Sequence, residues 1–121
     1  MAYTIETIIA EKFESIISKN ITTTRAKDFY DLYMLMNKHK NDINNKNLIK
    51  AIENTFNKRN TEFNINKFKE IIELLEENNI LRRVFTHYQS KLEYTKIVSF
   101  DDTISAIKII INILEKEFLT V

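Results

Sequence analysis

The chain has no glycine, no proline, no cysteine and no tryptophan in 121 residues. Average usage would give about 8 glycines and 6 prolines in this length, so the absence carries information. Without glycine there is no Gly-built phosphate loop, of either the dinucleotide or the Walker kind. Tight hairpins of type I′ or II′ are disfavoured for the same reason. Without cysteine there is no disulfide, iron–sulfur cluster or thiolate zinc site. Two histidines are too few for a conventional three-ligand catalytic zinc unless carboxylates assist. No apolar run approaches the ~20 residues that a membrane span needs. No basic segment followed by an apolar one opens the chain, so a cytoplasmic location and no membrane partner are expected. Charge of one sign is also missing: 18 Lys and Arg against 17 Asp and Glu leave a net charge of +1. Any nucleic-acid contact would therefore come from a local patch.

What is present is helical spacing. Apolar residues recur at i, i+3 and i+4 almost throughout. Ile5, Ile8, Ile9, Phe13, Ile16 and Ile17 predict a helix over Thr4 to Lys19. Arg25 to about Lys38 predicts a second, with Thr24 as its cap. Its Phe29, Tyr30, Leu32 and Tyr33–Met36 cover most of the circumference, which is expected of a central helix. Further helices are expected over about Lys46–Arg59, Ile65–Glu77, Ile80–Leu92 and Phe100–Leu119. Ser99 and Asp102 form a capping-box pattern before the last of these. The asparagines of 41–45 can take left-handed positions that glycine would normally fill. Residues 37–60, biased towards Asn and Lys, read as a helical hairpin, and Tyr94–Val98 as a short extended link. The expected architecture is all-α: one domain over 1–121, a bundle of five or six helices.

Two groups of residues exceed what a bundle needs. On a helical wheel Lys12 falls between Ile8 and Ile16, inside the apolar arc of the first helix. A buried ammonium is costly without an anion, although a lysine can also snorkel its head to water. On the second helix Arg25, Lys27, Asp28 and Asp31 share the polar strip. These can be ordinary surface pairs worth a few tenths of a kcal/mol. On a mostly buried helix, however, carboxylates want a cation, and Lys12 or a bound metal is the natural candidate.

These residues carry a resemblance. Tyr3–Ile16 (YTIETIIAEKFESI) and Arg25–Tyr33 (RAKDFYDLY) resemble the abortive-infection nucleotidyltransferase toxins of the AbiEii/AbiGii type. That family has an Ala-Glu-Lys motif on one helix and an Arg-x-Lys-Asp-x-x-Asp motif on the next. Both are intact, as Glu11-Lys12 and as Arg25, Lys27, Asp28 and Asp31. The segment from Phe85 to Asp101 is similar to the family's closing helices.

The resemblance implies a role in bacterial phage defence, as the toxin of a toxin–antitoxin system. It implies transfer of a nucleotide from a nucleoside triphosphate, helped by Mg2+, to an acceptor such as tRNA or another RNA. Lys12 would then contact the triphosphate and Asp28 would stand at the edge of the active site. Glu11, Arg25, Lys27 and Asp31 would orient them. Full-length relatives place a nucleotidyltransferase core with a Gly-Ser signature and an Asp-x-Asp pair before these helices. No glycine and no Asp-x-Asp occur here. The chain therefore reads as the C-terminal helical half, expected to be inactive alone and to hold neither metal nor nucleotide. Its expected partners are that core, an antitoxin and, through an uncovered face, itself.

Two other readings stand beside this one. Arg82 and His87 have the Arg-x4-His spacing of all-helical HEPN ribonucleases, but with Arg83 following and no further support; an exposed helix face gives the same pattern. His39, between Lys38 and Lys40, reads as surface. The bundle can also be a stand-alone interaction module.

Overall fold

Among the described residues six α-helices make up the fold: α1 (Ile5–Lys19), α2 (Ala26–Lys38), α3 (Asn45–Lys58), α4 (Ile65–Glu77), α5 (Asn79–Ser90) and α6 (Phe100–Phe118). This computed structural model describes residues 4–20 and 25–118. No strand occurs among them, and the all-α expectation holds. Thr24 and Leu119 lie outside the described residues, as does most of the polar connection before Arg25.

Side chains begin the helices where their short polar groups can reach an orphan amide. The Thr4 hydroxyl accepts from the Thr7 amide at 3.1 Å. Asn44, Asn64 and Asn78 cap α3, α4 and α5 through the amides of Asn47, Lys67 and Leu81. Before α6, the Asp102 amide donates to the Ser99 hydroxyl and the Ser99 amide to the Asp102 carboxylate, both at 3.0 Å. That is the reciprocal box expected from the sequence.

The asparagines do replace glycine, but not where 41–45 suggested. Positive φ occurs at Asn20 (51°) and Asn60 (56°). Asn60 ends α3 with the Thr61 amide donating to the Phe56 carbonyl at 2.9 Å. This left-handed stop needs a residue that tolerates αL, and asparagine does so better than any other side chain-bearing residue present.

Packing is set by two aromatic clusters. Phe13 of α1 meets Phe56 of α3 and Phe68 of α4, with ring centroids 5.8 and 5.5 Å away. Phe29 of α2, Phe85 of α5 and Phe100 of α6 form the second, at 5.6 Å spacings. The buried side chains run as one cluster from Ile9 on α1 to Leu114 on α6.

Three expectations change. Within residues 37–60 the end of α2 and the whole of α3 are helical, but they do not form a paired hairpin; α3 packs principally on α1, and α2 packs on α1, α5 and α6. The reason is that Leu48, Ile49, Ile52 and Phe56 find the Phe13 face, not α2. α2 is central only in its first half: Phe29, Tyr30 and Leu32 are buried, whereas Tyr33–Met36 are partly covered. Residues 94–98 are not extended. Glu93–Thr95 form a 3-10 turn, because the Gln89 amide donates to the Thr95 and Val98 carbonyls and folds the link back on α5.

Candidate functional site

Lys12 and the α2 strip come together. The Lys12 Nζ lies 3.3 Å from Asp28 Oδ1 and 3.2 Å from Asp31 Oδ2. Its side chain is 24% exposed and that of Asp28 only 6%. Arg25 Nε stands 3.5 Å from the second oxygen of Asp28, and Lys27 Nζ 2.8 Å from Asp31. Three cations thus face two carboxylates. A lysine ammonium has three N–H donors, and two directions are taken by α2.

The buried arc of α1 explains why Lys12 is there. Its centre is Ile9, Phe13 and Ile17, so Lys12 sits at the flank, where α2 crosses. The snorkelling alternative fails in its destination: the ammonium reaches the carboxylates of a neighbouring helix.

Glu11 takes a different partner. Arg59, which caps α3, donates from Nη2 to Glu11 at 3.3 Å and from Nη1 to Glu14 at 2.7 Å. The Thr61 hydroxyl donates to the other oxygen of Glu14 at 2.7 Å. Glu14 is 5% exposed, so this network holds a buried charge between α1 and the end of α3. Glu11, Lys12, Arg25, Asp28 and Arg59 border one open depression of about 310 Å3, with Ile8 and Ser15.

Glu14, Arg59 and Thr61 were missed by sequence reasoning. So was Glu6, which is buried and accepts from the Asn44 amide at 2.9 Å. A signal existed for Glu6: with about 100° per residue it falls between Phe13 and Ile17, in the middle of the apolar arc. Removing the Arg59 guanidinium leaves Glu14 with Thr61 alone. Arg59→Ala should cost about 2 kcal/mol, less than for a fully buried pair because the arginine is partly exposed. Urea denaturation should show it, with Arg59→Lys recovering part; an unchanged midpoint would mean that the network holds nothing.

Around Asp31 the site continues into tyrosines. Tyr30 of α2 lies 6.2 Å, ring to ring, from both Tyr88 and Tyr94. Burial pushes both the Tyr30 and the Tyr88 phenol up, and the Asp31 charge adds to each. A hydrogen bond to Asp31 raises Lys27 above its ordinary value. All three groups therefore keep their protons at neutral pH.

The set does not fit a divalent cation. Asp28 and Asp31 are each already met by two cationic groups. Among the described residues no three His, Asp or Glu side chains converge as metal ligands.

Arg82 and His87 border one shallow depression on α5. Arg82 is not simply part of an exposed face: its Nε and Nη2 donate to the Glu76 carbonyl, Nη2 also pairs with Asp101 at 2.7 Å, and its guanidinium lies over Phe100. It ties the end of α4 to α6, while His87 is exposed. His39 is half-buried, with Asp42 3.5 Å away.

No helix among the described residues is long and apolar enough to cross a membrane. No curated protein and no solved structure matches the chain. A family sequence model does match: that of the nucleotidyl transferase AbiEii toxin, type IV toxin–antitoxin system, over residues 1–106. Both motif segments, the α1 lysine and the α2 carboxylates fall inside that match, and the chain belongs to the AbiEii nucleotidyl transferase toxin family.

Proposed function

We propose that this chain is the helical half of a nucleotidyl transferase toxin and supplies Lys12 to the triphosphate of its nucleotide substrate. The supporting observation is the ammonium held by two carboxylates of α2 at the edge of an open depression. Nucleotide transfer moves negative charge onto the departing phosphate oxygens, and a positioned cation stabilises that charge. Asp28 and Asp31 act on Lys12: they fix its direction before the substrate arrives. Arg25 and Lys27 offset their charge, so the carboxylates do not repel the phosphates. Glu11, held by Arg59, keeps the α1 backbone next to Lys12 in place. The family works within toxin–antitoxin systems, so its counterpart in the cell is an antitoxin.

The 121 residues contain no Asp-x-Asp, and among the described residues no acidic set for the metal ions of such a reaction occurs. In this reading those groups come from a nucleotidyltransferase core outside these residues, with Mg2+, and an RNA such as tRNA is the acceptor. The expected result is that the purified chain, incubated with Mg2+, labelled nucleoside triphosphates and tRNA, leaves the RNA unlabelled. Clear labelling by this chain alone would overturn the division of labour.

A further inference from the structure

The rim beyond Asp31 has a construction that holding Lys12 does not require. Tyr94 is 65% exposed and Ile97 is 88% exposed, yet the link that carries them is not loose. Thr95, between them, is fully buried, and its hydroxyl donates to the Leu92 carbonyl at 2.6 Å. The Gln89 amide clasps the Thr95 carbonyl at 2.8 Å and the Val98 carbonyl as well. Tyr94 packs against the buried Tyr30 at 65°, and Tyr88 packs against the same ring at 52°. An exposed aromatic edge is thus held stiff from beneath. Rigid, exposed aromatic area binds planar ligands at little entropic cost.

Its position gives the ligand class. Tyr30 follows Phe29 and precedes Asp31 on α2, and the Asp31 charge is felt at both the Tyr30 and Tyr88 phenols. Asp31 in turn touches Lys12 and Lys27. Asp31, the partner of these cationic groups, is thus the sequence neighbour of Tyr30, the ring on which Tyr88 and Tyr94 pack. The geometry points to Tyr94 and Tyr88 as a stacking site for a nucleobase, next to the phosphate site at Lys12. The site rests on the reading of Lys12 above for its neighbour, and goes beyond it in naming where a base lies. The base can belong to the substrate nucleotide or to a nucleic-acid strand; the chemistry of stacking is the same.

The 121-residue chain can be tested directly, with ring carbons of tyrosine labelled for NMR. The probes are GMP and AMP, a short single-stranded oligoribonucleotide, and two base-free controls, ribose 5-phosphate and tripolyphosphate. Base-bearing probes should shift the Tyr94 and Tyr88 ring signals upfield, and base-free ones should not. Tyr94→Ala should weaken binding about tenfold, and Tyr94→Phe should restore it, because stacking uses the ring and not the hydroxyl. Tyr94 is exposed, so the fold should survive both changes, and a far-UV spectrum checks this. Shifts with the mononucleotides assign the base to the substrate; shifts with the oligoribonucleotide alone assign it to a strand. Unmoved rings, or undiminished binding by Tyr94→Ala, overturn the stacking site. Lys12→Met separates the two claims. Tripolyphosphate binding that needs Lys12, with the rings unmoved, removes the stacking site and leaves the Lys12 reading. Ring shifts by base-bearing probes, with no tripolyphosphate binding at Lys12, do the reverse.

Discussion

Lys12→Met, introduced at the matching motif of a full-length family member, should lower nucleotide transfer by at least about 100-fold and remove toxicity, because a cation aimed at developing phosphate charge is lost. The same change should scarcely alter the stability of the present chain. Methionine keeps most of the stem's volume. Asp28 keeps Arg25 at 3.5 Å, and Asp31 keeps Lys27 at 2.8 Å, so neither carboxylate is left without a cation. A loss of no more than about 1 kcal/mol is expected, well below the cost of breaking an isolated buried pair. Asp28→Asn should also lower transfer, since the ammonium loses one of its two guides. Thermal melts of the two variants beside the toxicity assay separate function from structure. A large fall in melting temperature with toxicity retained would make the cluster a structural salt bridge and end the active-site assignment.

Phe13→Ala should have the largest effect on stability. Phe13 is wholly buried and joins three helices through Phe56 and Phe68. Emptying such a site costs about 3–5 kcal/mol, from lost transfer energy and the cavity that remains. Domains of this size hold only about 5–15 kcal/mol in total. The variant should therefore unfold at much lower urea, or fold incompletely at room temperature, and Phe13→Leu should recover much of the loss. A change below about 1 kcal/mol would mean that α1 can shift to refill the space. Lys12 is the preceding residue, so such a shift would also displace the ammonium from Asp28 and Asp31.

The helices were legible because the rhythm of apolar residues is local, and the caps because their donors and acceptors lie within three residues. Lys12 was legible as a lysine on the wrong face, and Asp28 and Asp31 as carboxylates on a helix with little exposed surface. Their meeting followed from motif resemblance and charge logic together. Arg59 and Thr61 were not legible in the same way: their partner Glu14 lies 45 and 47 residues away, and nothing in the spacing of α3 announces it. The link at 94–98 was misread because its β-branched residues favour extension, whereas the Gln89 amide, a tertiary contact, decides its shape. The pairing of α3 with α1 rather than α2 is likewise a choice among apolar faces that one-dimensional periodicity does not encode.

The clamp on Glu14 bears on when the molecule becomes functional during synthesis. α1 leaves the ribosome before α3, and Arg59 and Thr61 must follow before its buried carboxylate has partners. The chain must also turn left-handed at Asn60 to bring Thr61 back to α1 beside Arg59. Until synthesis has passed Thr61, α1 can be helical yet lacks the partners of its buried carboxylate, and a lysine on an unseated helix has no fixed aim. Under the reading proposed for Lys12, its ammonium would gain a fixed direction only once α3 has closed on α1.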